Sequence, residues 1–146
     1  YALLFGINII TLVGFGYVST RWVKKTGTTR LIKIGSVAGL AGALMVLGSA
    51  FNGGSVTWNL SLMVAGFMLC VGSLGFVAPN TTAQLLGKHP KNAGAASALY
   101  GCAQFGLGGL ASGAVSLVHD NTALPMAATV LVFAALACWA SIQLKR

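Results

Sequence analysis

Long apolar stretches alternate with short polar connections along the chain. Five stretches each reach the roughly 20 residues that a helix needs to cross a bilayer. They cover residues 1–20, 31–51, 58–86, 93–118 and 124–144. A helix satisfies its own backbone hydrogen bonds in lipid, whereas an open strand does not. The pattern therefore predicts an all-α integral membrane protein with five transmembrane helices.

The basic residues fall in alternate connections and at the C-terminal end. Arg21, Lys24, Lys25, Arg30 and Lys33 surround the first connection. The third contains Lys88 and Lys91, and the last two residues are Lys145 and Arg146. The second connection has no charge, and the fourth has only the acid Asp120. Because Lys and Arg collect in cytoplasmic loops, we expect a multi-pass protein with its N-terminus outside and its C-terminus in the cytoplasm.

Composition supports the same class. The chain is 56% hydrophobic and only 7% charged, whereas a soluble domain has about 25% charged residues. The net charge of +8 follows from topology and does not indicate nucleic-acid binding, since no aromatic residues interleave with the basic ones as a stacking surface requires. We expect the lipid bilayer to be a partner of the chain, with attraction of the basic residues to anionic inner-leaflet lipid as a secondary effect.

The fourth apolar stretch has one small and polar face. Its members recur every three or four residues and are Gly94, Ser97, Gly101, Gln104, Gly108 and Ser112. Gly109 and Gly113 add a GxxxG pair, as Gly35 and Gly39 do in the second stretch. Small residues let helices approach closely in lipid. Gln104 is therefore either a hydrogen-bonding contact between helices or part of the wall of a polar cavity.

The third stretch is longer than a single span requires and contains Pro79. Proline removes one backbone hydrogen bond and kinks a helix, and side chains of the following Asn80-Thr81-Thr82 are available to satisfy freed backbone groups. The membrane part either ends near Pro79 or continues as a bent helix. Asn8 in the first stretch is likewise either a helix contact or a cavity residue.

The sequence shows no arrangement typical of catalysis. No carboxylate lies inside an apolar stretch, and His89 and His119 fall in separate connections. Cys70, Cys102 and Cys138 lie apart in apolar sequence, as free thiols that act as small hydrophobes do. We therefore expect no catalytic residue, no metal site and no cofactor, and the chain is not expected to be an enzyme.

Four stretches together resemble a known family. They are LLFGINIITL at 3–12, TRWVKKTGTTRLIKIG at 20–35, SLGFVAPNTTAQLL at 73–86 and NAGAASALYGCAQFGLGGLASG at 92–113. Their order and spacing resemble the C-terminal half of a major facilitator superfamily transporter. More narrowly, they resemble the bicyclomycin/chloramphenicol-resistance (Bcr/CflA) branch of drug:proton antiporters.

The resemblance implies that the five spans are helices eight to twelve of a twelve-helix fold. The chain would then be a fragment of a multidrug efflux transporter in the bacterial inner membrane, working by alternating access. Its partners would be the missing N-terminal half, protons and an amphipathic small-molecule substrate. The resemblance also favours Asn8, Asn80, Tyr100 and Gln104 as substrate-cavity or gating residues.

The basic connection resembles the second copy of the superfamily's cytoplasmic signature, in which an Asp and an Arg precede a Gly. Gly27 matches the Gly and Lys25 matches the Arg. Lys24 stands where the Asp is expected, so the charge-relay role of that Asp is not carried over. The resemblance supports only the position of this cytoplasmic basic loop, which includes Arg21, Lys24, Lys25, Gly27 and Arg30.

Alternative functions remain open at this point. One is a major facilitator transporter of another substrate class, such as a sugar, a nucleoside or a siderophore. Another is a free-standing five-helix membrane scaffold. A third is a truncated gene product with no activity. An acidic residue within the membrane in a preceding part of the polypeptide would favour the antiporter.

Overall fold

The computed structural model describes residues 2–51, 55–118 and 123–144. Within these ranges the chain forms five α-helices and no strand. They are α1 (Ala2–Thr26), α2 (Thr28–Phe51), α3 (Val56–Lys88), α4 (Ala93–Leu117) and α5 (Leu124–Gln143), with a 3-10 turn at Pro90–Asn92 before α4. By length and composition, α2, α3 and α5 are suited to cross a membrane. The predicted all-α membrane class is confirmed.

Helix α3 lies at the centre of the packing. It pairs most extensively with α2 and also packs along α1, while α5 packs against α2. Helix α4 has only slight contacts with α3 and α5. The described chain is therefore a packed group of four helices with α4 set apart from it.

Glycines bring the backbones of α2 and α3 together. A Cβ atom at Gly42 would lie 2.7 Å from the carbonyl oxygen of Gly66, and one at Gly66 would lie 2.8 Å from that of Gly42. Gly35 and Gly39 continue the same contact, where an added Cβ would meet Phe76 at 2.9 Å and Ser73 at 2.8 Å respectively. No larger residue fits at the central crossing without separating the two backbones.

A second glycine contact joins α3 to α1. A Cβ atom at Gly75 would lie 2.6 Å from the carbonyl oxygen of Leu12 and 2.7 Å from the backbone nitrogen of Gly16. The rings of Phe15 and Phe76 pack edge to face beside it, with centroids 5.4 Å apart. Sequence spacing did not single out Gly75, because it shows which residues share a helix face but not which neighbour that face meets.

From the sequence, the first connection is expected between the apolar stretches 1–20 and 31–51. In the structure the connection is much shorter. Arg21, Lys24 and Lys25 lie in the C-terminal part of α1, and Arg30 lies in the first turn of α2. Only Gly27 separates the helices, with a φ angle of +80° that suits glycine. The change in direction is a tight turn because both helices continue beyond the apolar stretches into the charged sequence.

Helix α3 continues through Pro79 as one element of 33 residues. The Nδ2 atom of Asn80 donates to the carbonyl oxygen of Phe76 at 2.7 Å, and the Oγ1 atom of Thr82 donates to that of Ala78 at 2.9 Å. These side chains bond backbone carbonyls around the proline, which itself has no N–H to donate. The helix therefore does not end at Pro79.

Helix α4 has no buried residue within the described chain. Its glycines meet no atom within 4 Å of an added Cβ; they are Gly94, Gly101, Gly106, Gly108, Gly109 and Gly113. The packing role predicted for five of these, all but Gly106, stays a prediction, because no described helix of this chain covers them.

We predict that Gly75→Ala destabilises the helix bundle, since the new methyl group would overlap the backbone of α1. Overpacking of this kind costs about 1–3 kcal/mol. The control is Gly106→Ala, where the methyl group enters open space and helix propensity favours alanine by up to about 1 kcal/mol. Unfolding by SDS titration in detergent micelles, followed by circular dichroism, measures both. Equal stability of the two variants would contradict the α1–α3 contact.

Candidate functional site

A buried polar contact links α1 and α3 just after Pro79. Ser19 is 2% exposed and Asn80 is 4% exposed. The Nδ2 atom of Asn80 donates to Ser19 Oγ at 2.7 Å as well as to the Phe76 carbonyl. Both donor hydrogens of the amide are thereby used, and the side chain is held between the two helices rather than facing an open cavity of the described chain.

One turn further along α3, Gln84 forms the corresponding contact with α2. Its Nε2 atom donates to Thr28 Oγ1 at 2.8 Å and to Thr29 Oγ1 at 2.9 Å. We call Ser19, Asn80, Gln84, Thr28 and Thr29 the polar clamp. The clamp ties α3 to the end of α1 and to the start of α2, so it fixes the position of the basic α1–α2 turn.

The basic end of the bundle has two further polar contacts. Lys33 Nζ donates to the carbonyl oxygen of Ile142 at 3.4 Å, which places a cation at the C-terminal end of α5, where the helix dipole favours it. The guanidinium of Arg21 donates to the hydroxyl of Tyr17 and lies 5.1 Å from the centre of the Tyr17 ring. These contacts hold side chains at the edge of the predicted spans.

Tyr100 lines a groove between the end of α3 and the start of α4. The groove has a volume of about 410 Å³ and its wall is mostly apolar, with Leu85, His89, Asn92, Ala95, Ala96, Leu99, Tyr100 and Ala103 around it. Half-buried Tyr100 combines an aromatic face with a hydroxyl. The groove can accept an apolar group of a ligand while His89, Asn92 and Tyr100 offer hydrogen bonds.

The other two predicted residues lie elsewhere. Gln104 is exposed on α4, one turn beyond Tyr100. Asn8 is half-buried in α1, one turn before Thr11, whose methyl group would meet a Cβ at Gly72 of α3 at 2.9 Å. Tyr100 and Gln104 thus belong to α4, while Asn8 and Asn80 belong to the α1–α3 side. Within the described chain the four residues do not form a single lined cavity.

Ser19, Gln84, Thr28 and Thr29 were not among the candidates of the sequence analysis. Ser19 and Asn80 are 61 positions apart, and Gln84 is 56 positions from Thr28. A single Ser or Thr near a helix end carries no sequence signal for a partner at that distance. Among the described residues, no group of three or more His, Cys, Asp or Glu could hold a metal ion.

The comparisons with known proteins support the resemblance found in the sequence. The chain is 28% identical over 131 residues to a protein named bicyclomycin resistance protein homolog, from Haemophilus influenzae. The alignment covers 89% of this chain and 32% of that protein, so the chain spans about a third of the length of the curated relative it matches. No family model matches the chain, and no solved structure matches it.

These findings confirm the predicted resemblance to a transporter of the bicyclomycin-resistance type. Together with the apolar helices, they define the chain as a multi-pass membrane protein. The similarity extends over 89% of this chain.

We predict that Ser19 and Asn80 are energetically coupled. Ser19→Ala and Asn80→Ala should each destabilise the bundle, and the double variant should lose less than the sum. Hydrogen bonds between membrane helices contribute about 0.6 kcal/mol on average and up to about 1.7 kcal/mol. A double-mutant cycle by SDS titration measures the coupling energy. Ser61→Ala is the matched control, since Ser61 bonds only the preceding turn of its own helix; additive losses for Ser19 and Asn80 would contradict the contact.

Proposed function

We propose that this chain is the C-terminal part of a proton-coupled multidrug efflux transporter that works by alternating access. The observation that carries the proposal is the similarity over 89% of the chain to a protein whose name records resistance to bicyclomycin. Proton entry would drive an amphipathic small molecule outward. The five helices would be helices eight to twelve of a twelve-helix major facilitator fold, in the inner membrane of a bacterium.

The exposure of α4 supports a larger assembly. This helix has no buried residue, and Gln104 near its middle is exposed within the described chain. A polar amide facing hydrocarbon is unfavourable, and such residues usually face a bundle interior or a wet cavity. The missing N-terminal half would supply the other wall of that cavity. The glycines of α4 would then allow close approach of neighbouring helices.

In alternating access, two halves of the transporter rock around a central binding site. Large amphipathic compounds are held by burial of apolar surface and by a few hydrogen bonds. Tyr100 and Gln104 would supply such contacts from α4, and Asn8 from α1. Asn80 would act in gating, because its bond to Ser19 joins α1 to the proline region of α3. If the basic residues face the cytoplasm, the polar clamp would lie at the cytoplasmic end of the transporter, as would the C-terminus of the chain.

In the complete polypeptide, we predict that Gln104→Leu and Tyr100→Ala each reduce efflux by about tenfold, the effect expected when a contact worth about 1.4 kcal/mol is lost. Drug accumulation in cells with and without a protonophore measures the proton-driven part. Val132→Ala is the control, since Val132 is exposed on α5, away from the candidate residues. The cavity assignment would fail if Gln104→Leu, Tyr100→Ala and Asn8→Ala all left efflux and resistance unchanged at equal expression.

The chain on its own should insert into lipid but should not transport. It would lack the half that completes the cavity and supplies the coupling acid, and its described residues contain no Asp or Glu. Proteoliposomes that contain only these 146 residues test this by uptake of a labelled drug under an imposed proton gradient. The complete polypeptide is the positive control. Gradient-dependent uptake by the isolated chain would refute the assignment as part of a larger transporter.

A further inference from the structure

Six consecutive residues at the α1–α2 turn line an open pocket of about 420 Å³, with both polar and apolar surface. They are Lys25, Thr26, Gly27, Thr28, Thr29 and Arg30, and we call this the turn pocket. We propose that the turn pocket binds the phosphate-bearing headgroup of an anionic membrane lipid. This inference goes beyond transport, because it concerns how the chain engages the bilayer around it.

The charge of the turn pocket is not neutralised within the described chain. Lys25 and Arg30 are exposed at its two ends, and Lys24 and Arg21 lie close by in α1. No Asp or Glu occurs among the residues that the structure describes, so none of these cations has a carboxylate side chain there as partner. A cluster of cations at the membrane surface attracts anionic lipid. The negative charge of an anionic lipid headgroup would therefore neutralise these cations.

The two threonine hydroxyls make the turn pocket a set of donors. Gln84 donates one amide hydrogen to each of Thr28 and Thr29. Each hydroxyl accepts that bond and keeps its own hydrogen, which meets no acceptor in the described chain. By contrast, Ser36 and Thr82 use their hydroxyl hydrogens on carbonyl oxygens of their own helices. Two available O–H donors between two cations match the acceptor oxygens of a phosphate group.

The expected position of the turn pocket at the membrane surface favours a lipid headgroup over a phosphate ion from solution. Helix α2, which begins at Thr28, is a candidate membrane span by its length and composition, so its first turn would lie at the edge of a bilayer. Trp22 precedes the turn pocket and is 53% exposed, and Ile34 follows it and is also exposed. Tryptophan side chains collect at the headgroup level of a membrane. The pocket is thus bordered by residues that place it where headgroup phosphates lie.

Quenching of Trp22 by brominated lipid tests the proposal. The chain would carry Trp58→Phe and Trp139→Phe, two exposed positions, so that Trp22 alone reports. In bilayers of phosphatidylcholine, brominated phosphatidylglycerol is compared with brominated phosphatidylcholine to obtain a relative binding constant beside Trp22. We expect phosphatidylglycerol to be preferred, and Lys25→Gln with Arg30→Gln to lower that preference by about fivefold or more.

Two matched controls separate a built site from general attraction. Lys88→Gln with Lys91→Gln removes the same charge from exposed residues outside the turn pocket and should change the preference less than about twofold. Thr28→Val with Thr29→Val keeps every charge but removes the donors and should lower it by about threefold. Gln84→Leu breaks the clamp but leaves the hydroxyls, and should preserve the preference. Helix content measured by circular dichroism checks that each variant folds. If the Lys25/Arg30 double variant does not fold, Lys25→Gln alone is tested in its place.

Three results would overturn the proposal. One is an equal loss for the Lys88/Lys91 pair and the Lys25/Arg30 pair, which would mean that only net charge matters. Another is an unchanged preference in the folded Thr28/Thr29 variant, which would leave the hydroxyls without a role. The third is equal quenching of Trp22 by the two brominated lipids, which would mean that the turn pocket does not select an anionic lipid.

Discussion

The close approach of α3 to α2 and α1 is the constraint on which the rest of the structure depends. Hydrocarbon gives no hydrophobic driving force between helices, so packing and interhelical hydrogen bonds must hold them. Gly42 and Gly66 permit the first approach, and Gly75 permits the second, each with backbone atoms under 3 Å from an added Cβ. If these helices stood further apart, the side chains of Asn80 and Gln84 would no longer reach their partners.

The polar clamp converts that close packing into a defined arrangement at the basic end. Polar side chains are costly in lipid unless they are paired, and Asn80 and Gln84 each find hydroxyl partners on another helix. The same residues follow Pro79, where α3 has lost one of its own backbone bonds. The clamp therefore joins the part of α3 that follows Pro79 to α1 and α2. In the proposed transporter, movement of α3 beyond Pro79 would carry the α1–α2 turn with it.

The chain combines a well-packed region with an exposed helix. Helices α1, α2, α3 and α5 share a core that includes Leu31, Ala43 and Val46, whereas α4 has no buried residue. The basic residues of the α1–α2 turn belong to the packed region. Lys33 reaches the end of α5, while Lys25 and Arg30 border the turn pocket. The basic turn thus combines cations that have no carboxylate partner among the described residues with the hydroxyl groups of Thr28 and Thr29.

The sequence by itself determined the helical class and the five helices of the described residues, because these depend on the length of the apolar runs. It also pointed to side chains after Pro79 that bond backbone carbonyls, and Asn80 and Thr82 do so. Their acceptors are the carbonyls of Phe76 and Ala78, however, and not that of Gly75, which the proline leaves without its helical donor. Only the tertiary structure decided that Gly75 meets α1, that Asn80 pairs with Ser19 and that the 21–33 connection is a turn at Gly27. These depend on the distance and rotation between helices, which a repeat of three or four residues does not specify. The tertiary structure likewise showed that the glycine face of α4, which has a GxxxG pair as α2 does, has no covering helix among the described residues.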